Sequence, residues 1–146
     1  MKIVLPWPDK RLSPNARLHW RAKMAPKKAA KEQAGYLTLA ADGFRAAKAS
    51  LAGDGPIAVE MRFYPPDRRH RDDDNMIGCM KAARDGIAEA LGVDDRRFRP
   101  HYIFEEAEKP GRVEVKFLLP KKFENELAEN SSDAVNGLPL SNGEAA

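Results

Sequence analysis

The stretch Asp72-Asp73-Asp74-Asn75 gathers three carboxylates on neighbouring residues, and Asp94-Asp95 adds a pair further along the chain. Adjacent carboxylates repel one another. A folded protein that collects them offsets the repulsion with helix N-terminal amides, cationic neighbours or a bound metal ion. If the second segment folds back toward the first, all-oxygen ligands converge from two places, which suits a hard divalent cation such as Mg²⁺. Two plainer readings use the same residues. An aspartate can cap the helix that starts here, with Arg68, Arg69 and Arg71 as salt-bridge partners, and Asp94 and Asp95 can form a turn or cap a short helical turn. An EF-hand is excluded, because the fifth loop position counted from Asp72 or Asp73 is Met76 or Ile77, neither of which is a ligand.

These carboxylates need a helix to position them. Composition predicts one over Met76 to Leu91, stopped by Gly92. At about 100° per residue, Met76, Met80, Ala83, Ile87 and Leu91 share a core face, while Asp74, Gly78, Lys81 and Asp85 align on the opposite one. A solvated outer face has the same pattern, and Asp85 can be simply the i, i+4 partner of Lys81. Gly78 costs a helix about 1 kcal/mol relative to Ala, which makes sense if something bulky approaches the backbone there.

Around this helix the chain reads as strand, helix, strand, helix, strand, strand. Lys2–Leu5 is a short strand ended by Pro6 and Pro8, and Ala- and Lys-rich composition predicts a first helix from about Pro26 to Leu51. Its apolar stripe is expected to be Tyr36, Leu37, Ala40, Phe44 and Ala47. Ile57–Tyr64 alternates as a strand, and Tyr102–Phe104 and Val113–Leu119 read as a hairpin turning at Lys109-Pro110-Gly111. The expected fold is a single small α+β domain over residues 1–120, with about four strands in a mixed sheet and two helices packed on one face. Residues 121–146 read as an acidic, disordered tail.

Composition narrows the function classes. The chain has 146 residues, one domain's worth, and no apolar run long enough for a membrane span or a signal-peptide core, so a cytoplasmic protein is expected. Cys79 is the only cysteine, which excludes an intrachain disulfide and a cysteine-built zinc site. The net charge of +3 hides an asymmetry. Residues 121–146 hold two basic and five acidic side chains, which leaves 23 basic against 17 acidic, or +6, in residues 1–120. Lys2 to Lys48 is more biased still, with eleven basic residues against Asp9, Glu32 and Asp42. Either a polyanionic partner or a solvated basic face explains that bias.

The opening Leu5-Pro6-Trp7-Pro8 with Ser13-Pro14-Asn15, the run Pro66 to Asn75 with its Asp-x-Asp-Asn block, and Gly92-Val93-Asp94-Asp95 after a helix together resemble one family. It is the RusA-type Holliday junction resolvases, small metal-dependent endodeoxyribonucleases of bacteria and their phages. The likeness spans roughly residues 2 to 119. It implies that Asp72, Asp74 and Asp95 bind Mg²⁺, with Mn²⁺ as a substitute, and that Asp94 and Asp85 are possible additional ligands. A catalytic lysine is implied one turn after Asp74, where this chain has Gly78; Lys81 is the nearest candidate on the same face. The implied reaction is paired nicking of four-way DNA junctions by a homodimer, in recombination and repair. Arg68, Arg69, Arg71, Lys27 and Lys28 are then expected to hold phosphates, and Trp7 or Trp20 to stack on exposed bases or pack in the core. His19, His70 and His101 are expected to be bystanders. Two other readings stay open: a general metal-dependent nuclease on other branched nucleic acids, and a non-catalytic DNA-binding accessory protein.

Overall fold

The structure, a computed structural model, describes residues 1–119; the expected tail lies outside them. Strand β1 is Lys2–Pro6, followed by a 3₁₀ turn at Lys10–Leu12, helix α1 at Trp20–Leu39 and α2 at Phe44–Ser50. Strand β2 is Ile57–Tyr64, α3 is Asp73–Cys79 and α4 is Lys81–Leu91; a 3₁₀ turn at Asp95–Arg97 leads into β3 (Phe98–Phe104), and β4 is Arg112–Phe117. The α+β class and the four-stranded mixed sheet agree with the sequence reading.

The sheet order is β1-β4-β2-β3. β4 runs antiparallel to both β1 and β2, while β2 and β3 are parallel. A hairpin between the last two strands is therefore corrected: β4 passes beyond β2 and inserts between it and β1. The parallel β2/β3 pair requires a crossover, and α3 and α4 supply it. This crossover opens at Asp72–Asp74 and closes at Asp94–Asp95, so the fold itself joins the two acidic segments.

Alternation decides which sheet face is core. Ile57, Val59, Met61 and Phe63 of β2 point inward with Ile3, Leu5, Val113, Val115 and Phe117. Residues of opposite parity make a polar outer face tied by Lys2–Glu114, Arg62–Glu60 and Arg62–Glu105 ion pairs. Met80, Ala83, Ile87 and Leu91 cover the core from the helix side, as the periodicity predicts.

Two expected helices are four. Gly43, at φ 79°, takes a left-handed turn that separates α1 from α2. Tyr36 is 71% exposed rather than part of the apolar stripe; α1 buries Pro26, Ala34 and Thr38 instead. This helix starts at Trp20, before Pro26. The second expected helix starts at Asp73 and is interrupted at Met80, whose amide bonds back to Ile77 and Gly78.

The two long helices, α1 and α4, meet backbone to backbone. A Cβ on Gly86 would lie 2.1 Å from the Lys31 carbonyl oxygen, and one on Gly35 would lie 3.6 Å from that of Gly86. Gly86→Ala is expected to destabilise the fold by about 2 kcal/mol through overpacking, lowering the urea midpoint without changing the slope. Gly55→Ala, which meets nothing within 4 Å, should stay within about 0.5 kcal/mol of the parent. Equal midpoints for both variants would contradict the close crossing.

Candidate active site

The sequence-predicted residues divide into three groups. The first is Lys81 with Asp85 and Asp95. The Lys81 Nζ donates to Asp85 Oδ1 and to Asp95 Oδ2, each at 2.7 Å. Asp85 is one turn along α4, but Asp95 lies beyond the helix, brought in because the segment after Gly92 folds back along α4. Gly92 permits that reversal with φ 70°. Hydrogen bonds from Lys81 hold the Asp95 carboxyl below the usual carboxylate range, and those to Asp85 and Asp95 raise the Lys81 ammonium above its ordinary 10.5. Arg84, which the sequence reading did not single out, adds positive charge near Asp95, and its buried Nε has no hydrogen-bond partner. Its place one residue before Asp85 is the only sequence signal for it.

The second group is Asp72, Asp73 and Asp74. Asp72 stands at the N-cap of α3, but its carboxylate makes no capping bond to the helix amides. It accepts from Asn75 Nδ2 at 3.4 Å and lies 3.4 Å from His70 Nε2. The neighbouring arginines do not neutralise this cluster. Arg69 and Arg71 both turn to Asp67, and Arg71 also donates to the Asp67 and Arg69 carbonyls and lies over the Trp7 ring. Arg71 thus pins the loop, while Arg68 is exposed and has no acidic partner among the described residues. Helix capping with salt bridges to the arginines does not describe the three aspartates.

Asp94 forms the third group. It accepts from the Arg96 amide at 2.9 Å and from the Arg96 guanidinium at 2.6 Å, which hold its carboxyl down to about 2. It caps the Asp95–Arg97 turn, as the plainer reading of this pair has it. Asp9–Arg11 and Asp67–Arg69 repeat this clip, in which an aspartate accepts from the amide two residues on and pairs with that residue's guanidinium. Asp72, Asp74, Asp85 and Asp95 carry no such clip.

A groove of about 530 Å³ connects the first group to α1. Gly78, Lys81 and Asp85 line one wall, with Pro14 at one end, and Lys23, Lys27, Lys28 and Lys31 line the other. The bulky group over Gly78 is Pro14, whose Cγ lies 2.3 Å from where a Cβ would stand. Asp74 lines a separate shallow depression with Asn15, His70 and Asp72. Asp74 is carried by α3 and Lys81 by α4, which the interruption at Met80 divides, so one continuous helical wheel does not describe both.

All the donors are carboxylate oxygens, a hard set that suits Mg²⁺. Two of them already converge on one cationic atom, the Lys81 ammonium. Among the described residues, no three acidic, histidine or cysteine side chains stand together around a common point.

No family model matches the chain. A protein of Xylella fastidiosa, described as uncharacterized, is 45% identical over 114 residues, which cover 77% of this chain and 72% of that relative. The chain belongs to the same family. Among the described residues no helix is long and apolar enough to cross a membrane.

The Lys81–Asp95 link has a defined pH window. With the Asp95 value lowered, its contribution is present above the ordinary 3.8 and is lost as pH falls through the lowered value. With the Lys81 value raised, the contribution is full below 10.5 and is lost as pH rises through the raised value. Lys81 is largely exposed, so the link contributes less than about 1 kcal/mol. Asp95→Asn is expected to move the Lys81 titration back toward 10.5 in an NMR pH series on its side chain. An unmoved titration would show that Asp95 does not hold the ammonium.

Proposed function

We propose that this protein is a Mg²⁺-dependent, structure-selective endodeoxyribonuclease of the RusA type. It resolves four-way DNA junctions by paired nicks as a homodimer in the bacterial cytoplasm, during recombination and repair. The observation that carries this reading is the Lys81 ammonium held between Asp85 and Asp95 at the wall of a lysine-lined groove. It adds to the Asp-x-Asp-Asn block followed by Asp-Asp, and to a crossover that links those two segments.

The groups suit phosphodiester hydrolysis. Lys81 is kept protonated by its two carboxylates, so it can offer N–H donors to the phosphoryl oxygens as negative charge builds in the transition state. Lys27 and Lys28 hold phosphates of the bound DNA, with Arg68 on the loop before α3, giving salt-dependent affinity without sequence readout. Asp72, Asp74 and Asp95 would hold the Mg²⁺, which when bound polarises the phosphoryl oxygen and lowers the pKa of a bound water. A junction with two-fold symmetry needs two matched incisions, and a homodimer presents two matched sites.

The test is a labelled four-way junction and a matched linear duplex, incubated with Mg²⁺ or with EDTA. Paired symmetric nicks in the junction alone are expected, absent with EDTA. Asp74→Asn and Asp95→Asn should each lower the nicking rate at least about 100-fold. Asp74→Asn should leave junction binding unchanged or tighter, since it removes a negative charge near phosphate. Binding without nicking under Mg²⁺ or Mn²⁺ would overturn the nuclease reading and favour a DNA-binding accessory protein. Equal cutting of the duplex would overturn junction selectivity.

A further inference from the structure

Helix α1 opens in a way that its own physics disfavours. The positive end of a helix dipole favours acidic residues, yet the first turn of α1 has none, and residues 15–31 include no carboxylate at all. Its N-cap is His19, whose Nδ1 accepts from the Arg21 amide at 3.3 Å, in place of the aspartate, asparagine or serine that cap best. Trp20 beside it is 60% exposed, with the Arg21 guanidinium 5.3 Å from its ring centroid. Trp7, the other tryptophan, packs edge-on against the buried Phe63, so it is Trp20 that the fold leaves at the surface.

Trp20 is in line with the lysines. At about 100° per residue, Trp20, Lys27 and Lys31 fall within about 40° of one another on α1, with Lys23 flanking the stripe. The stripe runs about 16 Å along the helix, in steps of about 6 Å per four residues. It ends in the groove that Lys31 shares with Lys81 and Asp85. Lys23 and Lys27 have no acidic partner among the described residues; Lys31 pairs with Glu89 at 2.8 Å.

We propose that this face of α1 is a track for an unpaired DNA strand: the indole of Trp20 stacks on an unstacked base, and Lys23, Lys27 and Lys31 follow the phosphates toward Lys81. Charge complementarity selects the occupant. An exposed aromatic ring in a stretch of sequence that holds cations and no carboxylate matches a polyanion that carries flat apolar faces. The proposal rests on the nuclease reading only in that its ligand is DNA.

The experiment uses the full chain in EDTA, with Trp7→Phe leaving Trp20 as the only indole. It is titrated with oligo(dT), a matched duplex and a four-way junction. Oligo(dT) and the junction should quench Trp20 fluorescence and the duplex should not. In the parent protein, Trp20→Ala should weaken oligo(dT) binding about 10-fold or more, and Trp20→Phe should recover most of the loss. Replacing Lys23, Lys27 and Lys31 with Gln should reduce the slope of log affinity against log salt by about 2. Bound oligo(dT) that leaves the indole unquenched, or unchanged affinity in Trp20→Ala, would overturn the track. Concentration-dependent quenching without DNA would overturn it in favour of a second copy covering Trp20. Either result with normal junction nicking would leave the nuclease standing, whereas no binding to any of the three DNAs would sink both.

Discussion

Helices α1 and α4 cross closely at Gly86, and this contact sets the charged surfaces of the two helices side by side. With no side chain at Gly86, the Lys31 carbonyl can approach the α4 backbone, and the two helices form one layer over the sheet. The lysine-bearing face of α1 is thereby set beside Lys81 and Asp85, and the groove between them exists because the helices touch just beyond it. A larger residue at this crossing would separate the two charged surfaces along with the helices.

Within that frame the carboxylates are used in two ways. Asp9, Asp67 and Asp94 are each spent on the arginine two residues on, and they fix loop geometry. Asp85 and Asp95 instead meet on one lysine from opposite sides of a chain reversal, while Asp73 and Asp74 open α3 with no cationic partner among the described residues. Basic residues divide likewise. Arg69 and Arg71 clip the loop before α3, the outer sheet face is stitched by ion pairs, and Lys28 and Lys31 of α1 pair with Glu32 and Glu89, which leaves Arg21, Lys23 and Lys27 of α1 without an acidic partner among the described residues. Such a division separates charges that hold the fold from charges available to a ligand.

Much of this was legible in the residues. Period-two alternation in Ile57–Tyr64 and period-3.6 spacing of Met80, Ala83, Ile87 and Leu91 identify the core face directly, because burial imposes those periods. The reversal at Gly92 was legible for the same kind of local reason. Strand order was not: the insertion of β4 between β1 and β2 depends on long-range pairing that no local signal encodes. Tyr36 misleads because α1 meets its neighbour through Gly35 and Ala34, and small residues at a close crossing leave the large one outside. The break at Met80 also escapes the apolar pattern, because Met76, Met80 and Ala83 keep helical spacing across it; the poor helix formers Asn75, Gly78 and Cys79 just before it were the signal. Arg71 reads as a phosphate ligand from charge alone, whereas its contacts with Asp67 and Trp7 are tertiary.

We propose that Asp72 and Asp74 at the start of the crossover and Asp95 at its end, beside Lys81, hold a divalent cation. Paramagnetic broadening by substoichiometric Mn²⁺ in NMR spectra of the assigned protein tests it most directly. Signals of Asp72, Asp74, Lys81, Asp85 and Asp95 are expected to broaden first and to recover when Mg²⁺ is added in excess, while those of Glu60, Glu105 and Glu114 on the outer sheet face stay sharp. Broadening centred on the outer-face glutamates, or none at any of these positions, would contradict it.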